Sequence, residues 1–253
     1  MTYNDFEEAL DDDLGWRKVE ISNLLLIAKN TNEEVILKSI ILLLYAHWEG
    51  YIKQSSKYYI RYLNEKNLRL GTLTGNFKAF AIKGNVSQCI DGKNSLNLAN
   101  EINFINRFLK LDTRNFIVPV DTTNPSEKAV IDTESNLKPK VFKNIISILG
   151  LNYCEAIETR ERYIDSHLLG NRNQIGHGNK YRSIHPDFNL EIKDVEKLKD
   201  IIFSIIDNFR DELLEHSRCE YYLHANATEL EKFNRNQSLK LERLLKSIED
   251  LYI

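Results

Sequence analysis

Cysteine, glycine and proline are scarce in this sequence, and each scarcity excludes a class of structure. The three cysteines, Cys89, Cys154 and Cys219, lie far apart without Cys-x-x-Cys spacing, which argues against a disulfide framework and a thiolate zinc site. The 253 residues include ten glycines and four prolines, and three of those prolines fall between Pro119 and Pro139. This distribution predicts long helices with one irregular region in the middle of the chain.

A strong charge of one sign and a long apolar run are also missing. The net charge of −3 gives no overall basic field for nucleic-acid binding, so any RNA contact would need a local basic cluster. The longest apolar run, Ile40 to Ala46, is too short to cross a bilayer, and the N-terminal residues lack the features of a secretory signal. We therefore expect a cytoplasmic protein that makes no membrane contact.

Apolar residues recur at helical spacing over most of the chain, which predicts an all-α protein. The predicted helices run from Phe6 to about Lys29, Asn32 to about Leu63, Leu96 to Leu109, Lys140 to Leu149, about Glu155 into the segment at Arg172, Ile192 to Leu213, and Thr228 to Tyr252. We expect loops with at most a short helix over 71–95 and a surface excursion over 112–139. The prediction is one domain over 1–253, with a core of about 6–65 and 140–215, an insertion of about 71–139, and a C-terminal helical extension of about 226–253.

An arginine and a histidine separated by four to six residues occur together five times. The pairs are Arg160 or Arg162 with His167, Arg172 with His177, Arg210 with His216, and Arg218 with His224. Spacing alone therefore cannot select one of them. The Arg172 pair differs in its context, because Asn173 follows the arginine directly and a glycine stands on each side of His177.

These residue types match the chemistry of RNA cleavage without a metal ion. Such cleavage needs a group that moves protons near neutral pH, which histidine provides, and a permanent cation that holds phosphate oxygens, which arginine provides. On a helix Asn173 and His177 share a face, while Arg172 lies about 100° round from Asn173. A complete set of groups is easier to assemble from two copies across a two-fold axis.

The segment Arg172-Asn173-x-x-x-His177, late in a helical chain and before another amphipathic helix, resembles the signature of the HEPN superfamily. Residues 46–53, Ala-His-Trp-Glu-Gly-Tyr-Ile-Lys, also resemble the early helix of stand-alone bacterial HEPN-like nucleases. The resemblance implies an antiparallel helical bundle with inserted loops and an extra C-terminal helix. It also implies a homodimeric, metal-independent endoribonuclease without a cofactor, with catalytic Arg172 and His177 and a supporting Asn173.

The resemblance also implies a biological setting, with one departure. Active members belong to toxin and antiphage systems, so an RNA substrate and an antitoxin or defence-system partner are expected. Members paired with a nucleotidyltransferase antitoxin often extend the motif to His-x-Tyr, but here Asn179 holds that position and Tyr181 comes two residues later. The resemblance covers roughly 35–63 and 155–214 and leaves 71–139 unexplained.

Four further residues are candidates for supporting roles. Glu49, in an otherwise apolar helix, would hold Arg172 in position or serve a structural role. Lys53, Lys57 and Arg61 form a row at four-residue spacing, which would follow an RNA backbone or form a solvated helix face.

Two other functions compete with the endoribonuclease. One is a non-catalytic HEPN module that binds RNA, a nucleotide or a protein partner through the same groove. The other is a helical adaptor that acts through its charged C-terminal helix. The local alternative for Arg172 and His177 is an ordinary helix C-terminus, with Gly178 as its stop signal.

Overall fold

The computed structural model describes residues 1–31, 33–90, 98–124, 130–134, 136–178 and 188–252. Helices dominate these ranges, which confirms the predicted all-α fold. They are α1 (Tyr3–Thr31), α2 (Glu34–Glu65), α3 (Gly75–Ile90), α4 (Ala99–Leu109), α5 (Pro139–Leu149), α6 (Glu155–Glu158), α7 (Glu161–Tyr163), a π-helix (Ile164–Gly170), α8 (Asn171–Gly176), α9 (Ile192–Arg218) and α10 (Ala227–Leu251).

Three long helices, α1, α2 and α9, pack against one another and form the centre of the core. The buried residues of α1 repeat every three to four positions, so one stripe of this helix faces its partners. They are Phe6, Leu10, Leu14, Arg17, Ile21, Leu25 and Ala28. The predicted helices that begin near Phe6, Asn32 and Ile192 are therefore confirmed, with ends shifted by a few residues.

Helix α2 is apolar because it is the central core helix. By length and composition alone it could cross a membrane, but half of its most apolar window is buried inside the protein. Trp48, Tyr51, Ile52 and Ile60 are all inaccessible to solvent. Contacts with α1, α9, α5 and α8 account for this burial.

The prediction of loops over 71–95 was wrong for most of that range, because α3 is a helix of 16 residues. A hydrogen bond from the Phe77 amide to the Thr74 carbonyl lies at its start, and the Phe77 ring packs edge-on against Phe116 at 5.4 Å between centroids. Helix α3 then lies against α4 and α5. Its pattern is weak in the sequence because few of its side chains enter the core.

The irregular segment after α4 lies along α2 instead of projecting from the surface. We call residues 114–138 the strap, of which the structure describes 114–124, 130–134 and 136–138. Its Phe116, Ile131 and Leu137 are buried in the core. The predicted surface excursion over 112–139 is therefore corrected, since much of this segment completes the core.

Polar side chains of α2 hold the strap in antiparallel order. Asn64 exchanges two hydrogen bonds with Val118, at 2.7 and 2.9 Å. Further back along α2, the Trp48 indole donates to the Leu137 carbonyl at 3.3 Å. Each such bond satisfies a strap backbone group that lies outside regular secondary structure.

The sequence pattern predicts one continuous helix from about Glu155 into the segment at Arg172. The structure instead has a series of short helices there. Helices α6 and α7 are separated by a turn at 159–160, and the π-helix over Ile164–Gly170 joins α7 to α8. A π-helix contains more residues per turn than an α-helix and recurs at functional sites. The wider turn changes the direction in which the following side chains of α8 point.

The charged C-terminal helix packs on the bundle. In α10, Leu241 and Leu245 are buried, and the helix lies against α9 and α6. The nearly buried Arg160 donates to Glu242 at 2.6 Å and to Glu249 at 2.8 Å. The predicted C-terminal helix is thus observed, and these contacts attach it to the bundle.

Candidate functional site

Helix α8 carries Arg172 and Asn173, and His177 caps its C-terminus. The half-buried Arg172 side chain places its guanidinium carbon 4.3 Å from the centroid of the Tyr45 ring on α2. Its Nη1 also donates a hydrogen bond of 2.8 Å to the side-chain carbonyl of Asn173. The guanidinium is therefore held by two contacts, one with the Tyr45 ring and one with the Asn173 side chain.

Tyr45 is itself rigidly held. Its side chain is 3% exposed, and its hydroxyl accepts a hydrogen bond of 3.1 Å from the Leu137 amide of the strap. The Glu49 carboxylate lies near the same hydroxyl. Burial raises the pKa of Tyr45 to about 12, and the nearby Glu49 carboxylate acts in the same direction, so the hydroxyl stays protonated at neutral pH.

Glu49 lies between the strap and Tyr45. Its carboxylate accepts a hydrogen bond from the Thr133 hydroxyl and lies near the Tyr45 hydroxyl. In the part of the chain that the structure describes, Arg172 contacts the Tyr45 ring and Asn173 and forms no ion pair with Glu49. The predicted support of Arg172 by Glu49 would therefore act through Tyr45.

His177 ends α8 with an exposed side chain. Its backbone amide donates to the Asn173 carbonyl at 3.1 Å, and Gly178 follows in the left-handed conformation with φ +71°. A glycine adopts this conformation without strain, which explains the stop at this position. The predicted departure at Asn179 and Tyr181 lies outside the described residues.

Arg172 and His177 of one chain do not share a helix face. Residues five apart on an α-helix differ by roughly 140° in direction and about 7.5 Å along the axis. Asn173 lies between them, because it bonds to Arg172 and projects on the side of His177. One copy therefore presents an anchored cation and an exposed imidazole on different faces of α8.

The predicted basic row on α2 is not a continuous track. Lys57 is 0% exposed, and its ammonium donates to the strap carbonyls of Asp121 at 3.2 Å and Asn124 at 2.8 Å. Both the RNA-binding role and the solvated face predicted for Lys57 are corrected, because strap carbonyls take the place of solvent. Arg61 is exposed and donates to Thr122, whereas Lys53 lines a separate cleft between α1 and α2.

That cleft borders a buried polar cluster that the sequence did not reveal. Arg17 donates to Asp13 at 3.0 Å and lies 3.4 Å from a ring nitrogen of His47. Gly50 leaves room for this guanidinium, since a Cβ there would lie 2.8 Å from Arg17 Nη1. Burial and the charge of Arg17 lower the pKa of His47. The cluster joins α1 to α2 and includes none of Arg172, Asn173 and His177.

Tyr45 is the principal site residue that sequence reasoning missed. The available signal was its position one helical turn before Glu49, on the same face of α2. Among the described residues no three histidine, cysteine or carboxylate side chains cluster in a way that could hold a metal ion.

The helical bundle and the motif on α8 together define a HEPN-type protein, and comparison with protein families agrees. The family model described as HEPN_MAE_28990-like HEPN matches residues 6–222. The chain therefore belongs to this family of HEPN domains, which points to a nuclease or an RNA-binding module. Comparison with curated proteins gave no match, and comparison with solved structures gave none either.

Proposed function

We propose that the protein is a metal-independent endoribonuclease, in which Arg172 holds the scissile phosphate and His177 transfers protons. The observation that carries this proposal is the anchored guanidinium on Tyr45 and Asn173, followed on the same short helix by an exposed histidine. Arginine fixed in this way can donate hydrogen bonds to phosphate oxygens in the plane of its guanidinium, and a solvent-exposed imidazole can reach the ribose.

The reaction is an internal transfer at phosphorus. The ribose 2′-hydroxyl loses its proton to a base and attacks the adjacent phosphorus, while the bond from phosphorus to the 5′-oxygen breaks. That oxygen takes up a proton, which leaves a 2′,3′-cyclic phosphate and a 5′-hydroxyl. Arg172 stabilises the charge that develops on the phosphate oxygens during the attack.

Two copies supply the groups that one copy lacks. The reaction needs one group that removes a proton and one that delivers it, whereas a single α8 carries one histidine of the motif. A two-fold axis through α8 would bring two Arg172 and two His177 side chains to one cleft. Asn173 would orient the cation within each copy.

The biological setting follows from the family resemblance. We propose a toxin or an antiphage effector that acts on RNA in the cytoplasm, with an antitoxin or another defence-system protein as its partner.

Replacing His177 tests the activity directly. Wild type and His177→Ala are incubated with mixed RNAs in EDTA, and the product ends are determined. We expect wild type to yield 2′,3′-cyclic phosphate ends and His177→Ala to lose at least about a hundredfold in rate, the usual contribution of a proton-transfer group.

A second exposed histidine provides the control. His224 also follows an arginine, Arg218, by five intervening residues, but it lies in a 3₁₀ turn beside α10. We expect His224→Ala to cleave at the wild-type rate. Cleavage by His177→Ala at that same rate, or cleavage that requires added metal ions, would contradict the proposal.

Arg172 and His177 of one chain point in different directions, which favours one alternative function. This alternative is a HEPN module that binds RNA, a nucleotide or a protein without cleaving RNA. An exposed histidine at an ordinary helix C-terminus needs no catalytic role. This alternative predicts RNA binding without new product ends, and binding that persists in His177→Ala.

A further inference from the structure

A phosphate clamp needs an arginine whose guanidinium stays in one place. The side chain is long and flexible, and loose positioning costs much of the benefit of a catalytic group. Arg172 is held on two sides, by the Tyr45 ring beneath it and by the Asn173 carbonyl at its edge. Of these two, Asn173 comes from the same short helix, so Tyr45 is the contact that ties Arg172 to the core.

The Tyr45 ring is a fixed support because its surroundings leave it no alternative position. The hydroxyl accepts a hydrogen bond from the Leu137 amide, and the nearby Glu49 carboxylate accepts one from Thr133. The strap therefore fixes the far end of the ring directly through Leu137 and holds Glu49 beside it through Thr133. Helix α2 fixes the near end through the backbone.

The contact with the Tyr45 ring uses no hydrogen-bond acceptor, so donors of the guanidinium remain for a phosphate. A guanidinium carries five N–H donors in its own plane, and an aromatic ring attracts its charge through the π-electrons. The described hydrogen bonds of Arg172 use Nη1, toward Asn173. The opposite edge can still present two parallel donors to a phosphate.

We propose that Tyr45 is a positioning residue for the phosphate clamp, whose ring holds the Arg172 guanidinium in the position that a scissile phosphate requires. The inference rests on the endoribonuclease proposed above. The ring performs the positioning, while the hydroxyl, Glu49 and Thr133 keep the ring in place.

Two substitutions of Tyr45 separate the ring from the hydroxyl. Tyr45→Phe keeps the ring and removes the hydroxyl, whereas Tyr45→Leu removes both, so a comparison of the two isolates the contact with Arg172. A cation–π contact at a desolvated site corresponds to roughly a threefold to thirtyfold change in rate. We expect kcat of Tyr45→Leu to fall by about tenfold relative to Tyr45→Phe, with a smaller change in KM.

Tyr51→Leu controls for damage to the core. Tyr51 is also a buried tyrosine on α2, and the structure places no contact between it and Arg172. Rates are measured at saturating RNA and divided by the folded fraction from circular dichroism at the same temperature. We expect Tyr51→Leu, after this correction, to retain the wild-type kcat.

The outcomes distinguish this inference from the function on which it rests. Equal corrected kcat values for Tyr45→Phe and Tyr45→Leu, beside a wild type that cleaves RNA, overturn the role of the ring and leave the endoribonuclease intact. An equal loss in Tyr51→Leu likewise overturns it, because the effect then belongs to the core. A wild type that cleaves no RNA overturns the endoribonuclease and the positioning role together.

Discussion

Arg172 and Lys57 show how differently two cationic side chains can be used in one protein. Arg172 keeps one edge of its guanidinium available, because its partners are a ring face and a neighbouring amide. Lys57 is closed off by two strap carbonyls and has no solvent contact. A buried ammonium must satisfy its donors, and these carbonyls do so. The first residue is suited to a ligand and the second to holding the strap.

Buried His216 makes the stability of the protein sensitive to acid. Burial among Tyr221 and Phe233 lowers the pKa of this imidazole to about 4, against 6.5 when unfolded. Between pH 4 and pH 6.5 the unfolded chain binds a proton at this imidazole, whereas the folded protein excludes it. The contribution of His216 to the free energy of unfolding is therefore fully present above pH 6.5 and is lost as the pH falls toward 4. We expect His216→Phe to remove about 2 kcal/mol of this pH dependence, as measured by urea unfolding at pH 5 and pH 7.5.

Glu212, one turn earlier on α9, titrates in the opposite sense. Burial raises the pKa of its carboxyl to about 7, so its contribution to stability is lost as the pH rises from 4.5 through 7. Wild type and His216→Phe both retain Glu212. The difference between their free energies of unfolding at each pH therefore isolates the contribution of His216. The exposed-site variant His224→Phe serves as the control. If the free energy of unfolding changes with pH equally in His216→Phe and His224→Phe, then His216 does not cause the acid sensitivity.

At the scale of elements, α10 and the residue after it are joined to the bundle by buried leucines, by ion pairs and by hydrogen bonds to α9. Leu241 and Leu245 supply its buried apolar surface, and Arg160 supplies the charged contacts to Glu242 and Glu249. The arginine is nearly buried while its partners are partly exposed. Its removal would leave two carboxylates close together without a cation.

We therefore expect Arg160→Ala to loosen the C-terminal half of α10 without unfolding the rest. Amide hydrogen exchange should accelerate over residues 242–251 and stay unchanged in α1 and α2, with a loss of roughly 1–3 kcal/mol in unfolding free energy. Arg243→Ala, at an exposed position of the same helix, serves as the control and should exchange like wild type. Equal exchange in both variants would mean that the ion pairs contribute nothing to docking.

At the scale of the whole molecule, the divergence of Arg172 and His177 makes the proposed active site depend on two copies. If both His177 side chains act in one reaction, a dimer that contains one His177→Ala chain is inactive. We expect chains co-expressed as equal amounts of wild type and His177→Ala to retain roughly a quarter of the activity, since random pairing makes about one dimer in four fully wild type. Retention of half the activity would show that each copy works alone.

Much of the site could be predicted because its parts are close together in the sequence. Arg172, Asn173 and His177 lie within one short helix, and the flanking glycines distinguish this segment from the four other arginine–histidine pairs. The contacts of Arg172 with α2 could not be predicted in the same way. Tyr45 lies 127 residues earlier in the chain, and its local sequence resembles that of the other core residues of α2.

The sequence by itself determined the long helices and the type of fold, since apolar periodicity over many residues dictates which face of a helix must leave water. Only the tertiary structure decided how side chains with the same local pattern are used. Lys57 and Arg61 occupy equivalent positions of the row on α2, yet the strap buries the first and leaves the second exposed. The physical reason is that burial and hydrogen bonding depend on which distant segment packs alongside, and helical spacing carries no information about that segment.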